Sequence, residues 1–189
     1  MEARKLLDAL IIAERLKDTT RHCYTSKGRH ESVAEHSWMM TLMAFFMRDE
    51  FPDVDMDKVI RMCIIHDLGE CFTGDIQKNK KTAANEVTEE TLLNSWGESL
   101  PDNYAKGMTE LYEEMAAHQT IEAKVYKAID GLEALIQHNL SDISTWIPRE
   151  YDLNMIYADD KVTFSDYLKA LREEVRKDTI RKIEEAAEG

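Results

Sequence analysis

The sequence predicts an all-α protein folded as a single-domain helical bundle. Three observations carry that prediction. The chain has 189 residues, 43% of them hydrophobic, which suits one domain with a sizeable core. Glycine and proline are scarce, at 7 and 3 residues, while the good helix formers Ala, Leu, Glu, Lys and Met are plentiful. Apolar residues recur at helical spacing in one segment after another. No internal repeat, low-complexity tract or linker divides the chain, so residues 1–189 are expected to form one domain.

The elements follow in order. Leu6, Leu7, Leu10 and Ile11 share one helical face and predict a first helix over residues 3–17. Lys17 to His30 is polar, contains Gly28 and reads as a loop. Ser32 with Glu35 three residues on is a capping box. It opens a helix to about Glu50 that carries Val33, His36, Met40, Met43, Ala44 and Met47 on one side. Pro52-Asp53 marks a turn, and Asp55 or Asp57 starts the next helix, with Val59, Ile60, Cys63 and Ile64, ending at His66-Asp67. Thr73-Gly74-Asp75 breaks the pattern, and residues 76–84 are polar and lysine-rich. Helices are expected over residues 85–97, 102–117 and 120–139, the first stopped by Gly97 and Pro101. Residues 139–163 are the least regular, with Pro148 and several aromatics. Ser165 can cap a last helix ending near Glu185.

Formal net charge is -13. Such a surface repels polyanions, which argues against nucleic-acid polymers and anionic membranes as main partners. A small anionic substrate stays compatible, because a metal and a few arginines can invert the local field. The 3 cysteines, Cys23, Cys63 and Cys71, form no CxxC pair and are odd in number, as in a cytoplasmic protein with reduced thiols. Cys63 reads as a small core residue, and Cys71 as packing or as a wall of a site. The N-terminus lacks the apolar core of a signal peptide. The longest apolar run, Trp38 to Met47, is too short to span a bilayer.

The chemistry concentrates around His66-Asp67, which follows an apolar run expected to be buried. A buried carboxylate costs several kcal/mol unless it is paired or bound to metal. Asp130 sits between Ile129 and Leu132 on a periodic apolar helix, and His36 lies on the inward side of its own helix. Each alone reads as a satisfied core or capping residue. Together, three helices each presenting an inward ligand predict a divalent-metal centre formed by His36, His66, Asp67 and Asp130. Glu70, four residues after His66 and three after Asp67, is expected to share their helical face. Asp75 follows in a Gly-Asp turn. His118 is a single further histidine in a polar loop, so one metal is favoured over two. His30 and His138 read as surface residues. Lys78, Lys80 and Lys81 could guide a phosphate, although a lysine run is usually a solvated loop. The Met39, Met40, Met43, Met47 face reads as core filler.

These motifs give the chain a resemblance to the HD-domain superfamily of metal-dependent phosphohydrolases, which carry a histidine, a later His-Asp pair and a distant aspartate on a helical bundle. His36, His66-Asp67 and Asp130 match those positions in order. The resemblance is closer to the 5′-deoxynucleotidase-like branch, through the segments Glu31 to Ser37 and His66 to Asp75 and the helix from Glu122 to Asp130. It covers roughly residues 5–140, leaving residues 141–189 as a helical extension. It implies that His36, His66, Asp67 and Asp130 hold one divalent ion, drawn from Co, Mn, Fe, Ni, Zn or Mg. It implies that Glu70 positions the attacking water and that Asp75 is a general acid or holds the water network. Arg21 has the spacing of the branch's phosphate-binding arginine, and Arg29 sits where a second basic residue is common. His22 stands where a tryptophan often discriminates against the ribose 2′-hydroxyl, which leaves the sugar preference open. The proline common shortly after Gly-Asp is replaced by Gln77-Lys78-Asn79-Lys80-Lys81.

The expected activity is hydrolysis of a (deoxy)nucleoside 5′-monophosphate to nucleoside and phosphate. By resemblance a homodimer is plausible, with Trp146, Tyr151 and Tyr157 either at an interface or covering the core. The rivals are the same fold acting on another small phosphorylated metabolite, a di-iron HD oxygenase, and a non-catalytic module with a structural ion.

Overall fold

The structure, a computed structural model, describes residues 1–76 and 80–188. Helix α1 (Ala3–Ala13) runs into a 3-10 turn, Glu14–Lys17. Two short strands, β1 (Thr20–Tyr24) and β2 (His30–Ser32), pair antiparallel with an irregular register between Thr20 and Tyr24. Then come α2 (Val33–Phe46), α3 (Met56–Ile65), the single turn α4 (Glu70–Thr73), α5 (Ala83–Glu98), α6 (Asp102–Ala117), α7 (Ile121–Leu140), α8 (Pro148–Ile156) and α9 (Asp166–Glu188). The protein is all-α apart from that hairpin.

Local chemistry sets the helix starts. The Ser32 hydroxyl accepts from Glu35 N–H while the Glu35 carboxylate accepts from Ser32 N–H, so the expected capping box is formed. Asp55 caps α3 and Thr120 caps α7. Ser165 accepts from Leu168 N–H at the start of α9.

Helices α2, α3 and α7 pack on one another around the main core. Met40, Val59, Met62, Cys63, Ala128, Ile129 and Leu132 are fully buried there. Each large side chain removed from water contributes on the order of 1.5–3 kcal/mol. The methionine face behaves as core: Met40 and Met47 are buried, with Met43 packed against them. Cys71 packs with Leu16 and Val33 in a satellite cluster. Helix α9 lies on α7 and α8, while α5 covers α4 and α6.

Three expectations are corrected. The segment 17–30 is not a plain loop but carries β1 and the hairpin turn. Its pairing is completed from outside, since Gln137 of α7 donates to Tyr24 O at 2.6 Å. The irregular stretch 139–163 contains α8, where Pro148 occupies the first turn, a position at which a proline costs nothing. His138 is not a surface residue but is 7% exposed on the inner side of α7. Trp146 is also buried and donates to His138 O at 3.0 Å, so it covers the core.

Candidate active site and metal centre

The His-Asp pair sits where α3 stops. His66 is the C-cap of α3, and residues 66–69 form tight turns, with Leu68 N–H on Ile65 O at 3.0 Å and Glu70 N–H on Asp67 O at 3.0 Å. The expected continuous helical face from His66 to Glu70 is therefore absent; the turn brings Glu70 back toward the pair instead. Gly69 makes room for this. A Cβ there would lie 2.6 Å from Glu89 Cγ, so the turn approaches α5 more closely than any side chain permits. Tyr112 of α6 donates to Ile65 O and closes the end of α3.

Helices α2, α3 and α7 bring the four expected ligands together. His36 Nε2 lies 3.5 Å from Asp130 Oδ1 and 3.9 Å from Asp67 Oδ2. His66 Nε2 lies 2.8 Å from Asp67 Oδ2. The donor atoms of His36, His66 and Asp67 all fall within 4.8 Å of one another.

The outer contacts select which atoms face inward. His36 Nδ1 donates to Glu133, and His66 Nδ1 donates to Cys63 O at 3.0 Å. Each imidazole is thus anchored through Nδ1 and turns its Nε2 to the centre, the arrangement found around metal-bound histidines. Lys127 Nζ holds Asp130 Oδ2 at 2.8 Å, which leaves Oδ1 for the centre. His66 Nε2 is buried, and its one close polar neighbour is the Asp67 carboxylate at 2.8 Å. An orphaned imidazole nitrogen beside two carboxylates fits a divalent cation and has no other use for its lone pair. Burial opposes charge on Asp67, but His66 and His36 hold it down at about 2. Asp130 lies well below its ordinary value, burial being outweighed by His36 and Lys127.

Glu70 is 8% exposed, and its Oε2 has no partner. Burial, then the Asp67 and Asp75 charges, pushes it up to about 9. Asp75 is also raised, by burial and against the pull of Arg21. Its position depends on Gly74, whose φ of 74° and ψ of 169° belong to a region open essentially to glycine alone.

A cleft of about 340 Å³ is lined by Thr20, Arg21, His22, Asp75, Ile76 and Lys80. Arg21 joins it to the centre: Nη1 lies 3.2 Å from Glu133 Oε2 and 3.3 Å from Glu31 Oε2. Arg21, His22 and Asp75 thus meet in one cleft. Arg29 stands apart, forked onto Glu35 at the surface. Lys81 is held by Glu89 at 2.9 Å, and Lys78 lies outside the described residues. His118 ends α6 on the surface in a left-handed conformation, φ 51°.

Sequence reasoning missed the supporting shell of Glu133, Glu31, Lys127 and Tyr112. Glu133 left a signal. It is a carboxylate in the apolar run Ile129 to Leu135, three residues after Asp130 and hence on the same face. It is fully buried, and His36 and Arg21 outweigh that burial to keep it ionised.

A family model described as HD domain matches residues 13–172, most of the chain. The chain belongs to the HD-domain family. The 5′-deoxynucleotidase HDDC2 of Bos taurus is 32% identical over 139 residues, 71% of this chain and 67% of that protein. A predicted metal-dependent phosphohydrolase from Magnetospirillum magnetotacticum MS-1 superposes with a TM-score of 0.77 at 24% identity, covering 95% of each chain. The cyanophage S-2L HD phosphohydrolase DatZ, solved bound to dA and one catalytic Zn2+ ion, gives a TM-score of 0.55 at 19% identity and 98% of each chain. At those identities the two solved structures speak for the HD fold.

Proposed function

We propose that this HD-domain protein is a metal-dependent phosphomonoesterase that hydrolyses nucleoside 5′-monophosphates to nucleoside and inorganic phosphate. The carrying observation is the convergence of His36, His66, Asp67 and Asp130 with both Nε2 atoms turned to the two aspartates, beside a cleft that holds Arg21 and Asp75. The deoxynucleotidase relatives support the substrate class. A divalent ion in the centre would lower the pKa of bound water from about 16 toward neutrality and neutralise phosphoryl charge.

The chain's own residues supply the rest. Arg21 offers a guanidinium already oriented by Glu31 and Glu133, so phosphate binding costs little side-chain entropy. Glu70 has an unpartnered oxygen to orient a water and, once ionised, to take its proton. Asp75, raised by burial, can carry a proton to the leaving nucleoside oxygen. His22 lines the same cleft as Arg21 and is the candidate contact for the sugar or base, and Arg29 lies on Glu35 at the surface as a candidate for steering phosphate. The candidate metals are Co, Mn, Fe, Ni, Zn and Mg, and a His2Asp2 donor set suits the first five better than Mg, which favours oxygen ligands.

Among the described residues no helix is long and apolar enough to cross a membrane. Three buried free cysteines support a reducing, cytoplasmic setting. A homodimer is supported by the bare apolar face of α1, where Leu6, Leu7, Leu10 and Ile11 are 46–60% exposed.

The test is phosphate release from a panel of ribo- and deoxyribonucleoside monophosphates, the matching di- and triphosphates, and sugar phosphates. Release from the nucleoside monophosphates above all others supports the reading, and the deoxy/ribo ratio gives the sugar preference. Preference for a sugar phosphate would assign the site to another small phosphorylated metabolite.

A further inference from the structure

The most concentrated group of ligand-type side chains outside the HD centre lies at the junction of β1, α7 and α8. His22 and Cys23 come from β1, His138 from α7 and Glu150 from α8. The register of β1 is irregular across these residues, and the consecutive His22 and Cys23 both bring donor atoms to His138, although successive strand residues normally alternate sides. His22 Nε2 lies 3.1 Å from Glu150 Oε1 and 4.0 Å from Cys23 Sγ. His138 Nε2 lies 3.7 Å from the same Glu150 oxygen. The donor atoms of His22, Cys23 and His138 all fall within 4.8 Å of one another.

We propose that His22, Cys23, His138 and Glu150 form a second metal site, for a divalent cation of the zinc class, that ties the hairpin and α8 to α7. Bonds of about 2.0–2.3 Å in a tetrahedron set the ligands about 3.3–3.8 Å apart; the contacts of Glu150 with His22 and His138 and of His22 with Cys23, at 3.1, 3.7 and 4.0 Å, lie close to that spacing. Two imidazoles, a thiolate and a carboxylate are the donor types zinc prefers.

The surroundings prepare the site as they prepare the HD centre. His138 Nδ1 donates to Asn154 Oδ1 at 3.0 Å, so the lone pair stays on Nε2. At 3.7 Å that Nε2 makes no hydrogen bond with Glu150. The second oxygen of Glu150 accepts from Ile147 N–H at 2.8 Å, which fixes the carboxylate and leaves Oε1 directed at the two rings. Cys23, His138 and Glu150 are buried, while His22 is exposed at the cleft and provides an entry path. An entering cation would displace the Cys23 thiol proton, as thiolate sites require. The third cluster of ligand-type residues, Glu31, His36 and Glu133, is different in kind. It already holds the Arg21 guanidinium as its cation.

Cobalt(II) distinguishes the two centres, because the HD donor set contains no sulfur. Full-length protein stripped by chelator and refilled with cobalt(II) is expected to take up two equivalents and to show a sulfur-to-cobalt charge-transfer absorption. Asp67→Ala should lose one equivalent and keep that absorption. Cys23→Ser should lose the absorption and one equivalent. If Cys23→Ser does not fold, His138→Gln should weaken the sulfur-bound cobalt by more than about tenfold, a loss typical even of an outer-shell partner. A wild-type protein with one equivalent and no sulfur band overturns the proposal. So does a band that persists in Cys23→Ser, or an unchanged cobalt affinity in His138→Gln.

Discussion

At the residue scale, the HD centre rests on carboxylates that touch other side chains. Glu133 fixes the His36 ring and at the same time orients Arg21. Glu133→Gln should weaken metal binding by about 10–100-fold and raise KM, as outer-shell losses do; chelator competition and steady-state kinetics measure both, and unchanged values would remove Glu133 from this role. Glu70→Gln should keep the metal and lower kcat by about 10²–10⁴-fold. Loss of the metal in that variant would make Glu70 a ligand instead. pH acts through His36. Burial and Arg21 pull its pKa down, but Glu133 and Asp130 more than reverse this and bring it to about 9. Below that value the metal-free ring carries a proton on the nitrogen the ion needs. Metal binding near neutrality should therefore release at least one proton, and affinity should rise about tenfold per pH unit for each proton released. Calorimetry in buffers of different ionisation enthalpy measures the release, and none would contradict the assignment. The four candidate ligands stood out in the sequence because a histidine or aspartate in an apolar helical stripe is conspicuous, and the structure places them side by side. Glu133 was equally conspicuous in pattern, but its partner His36 lies 97 positions away. His138 was misjudged for a related reason: a single histidine near a helix end carries no signal of what packs over it.

At the element scale, the helices were legible wherever period and cap agreed, as at Ser32-Glu35 and at Thr120. The hairpin was not, because β1 buries only Cys23 and shows no apolar alternation. Its order comes from Gln137 and from Val33 N–H on Thr19 O at 2.9 Å, contacts that sequence periodicity does not encode. Helix α8 was hidden because residues 139–163 show no clear apolar period, although Pro148 with Glu150 is a helix start signal. The buried Arg172 of α9 clamps α8: it donates to Tyr157 O at 2.9 Å and to Asn154 O at 3.0 Å. Arg172→Met strands both carbonyls and should destabilise the fold by about 2–4 kcal/mol, at roughly 1–3 kcal/mol per unsatisfied group; urea unfolding reads this, and a loss below about 0.5 kcal/mol would contradict the clamp. Gly74→Ala places a side chain at a positive φ and should cost about 1–3 kcal/mol. It should also displace Asp75 and lower kcat, whereas wild-type turnover would detach that turn from catalysis.

At the scale of the whole molecule, a net charge of -13 surrounds a centre that takes a small anion. Arg21 and Lys80 in the cleft, with a bound divalent ion, supply the local positive field that the surface lacks. The exposed face of α1 belongs to the same scale. If it is the dimer contact, Leu10→Glu with Ile11→Glu should convert the dimer to folded monomers in analytical ultracentrifugation; a dimer that persists would place the contact elsewhere. The central claim is that hydrolysis depends on the ion held by His36, His66, Asp67 and Asp130. Its most direct test is phosphate release from one deoxynucleoside monophosphate by chelator-stripped protein, measured before and after refilling with a divalent metal, with Asp67→Ala alongside. The account predicts no release before refilling, restored release after it, and none from Asp67→Ala under either condition. Equal release from stripped and refilled protein would contradict it.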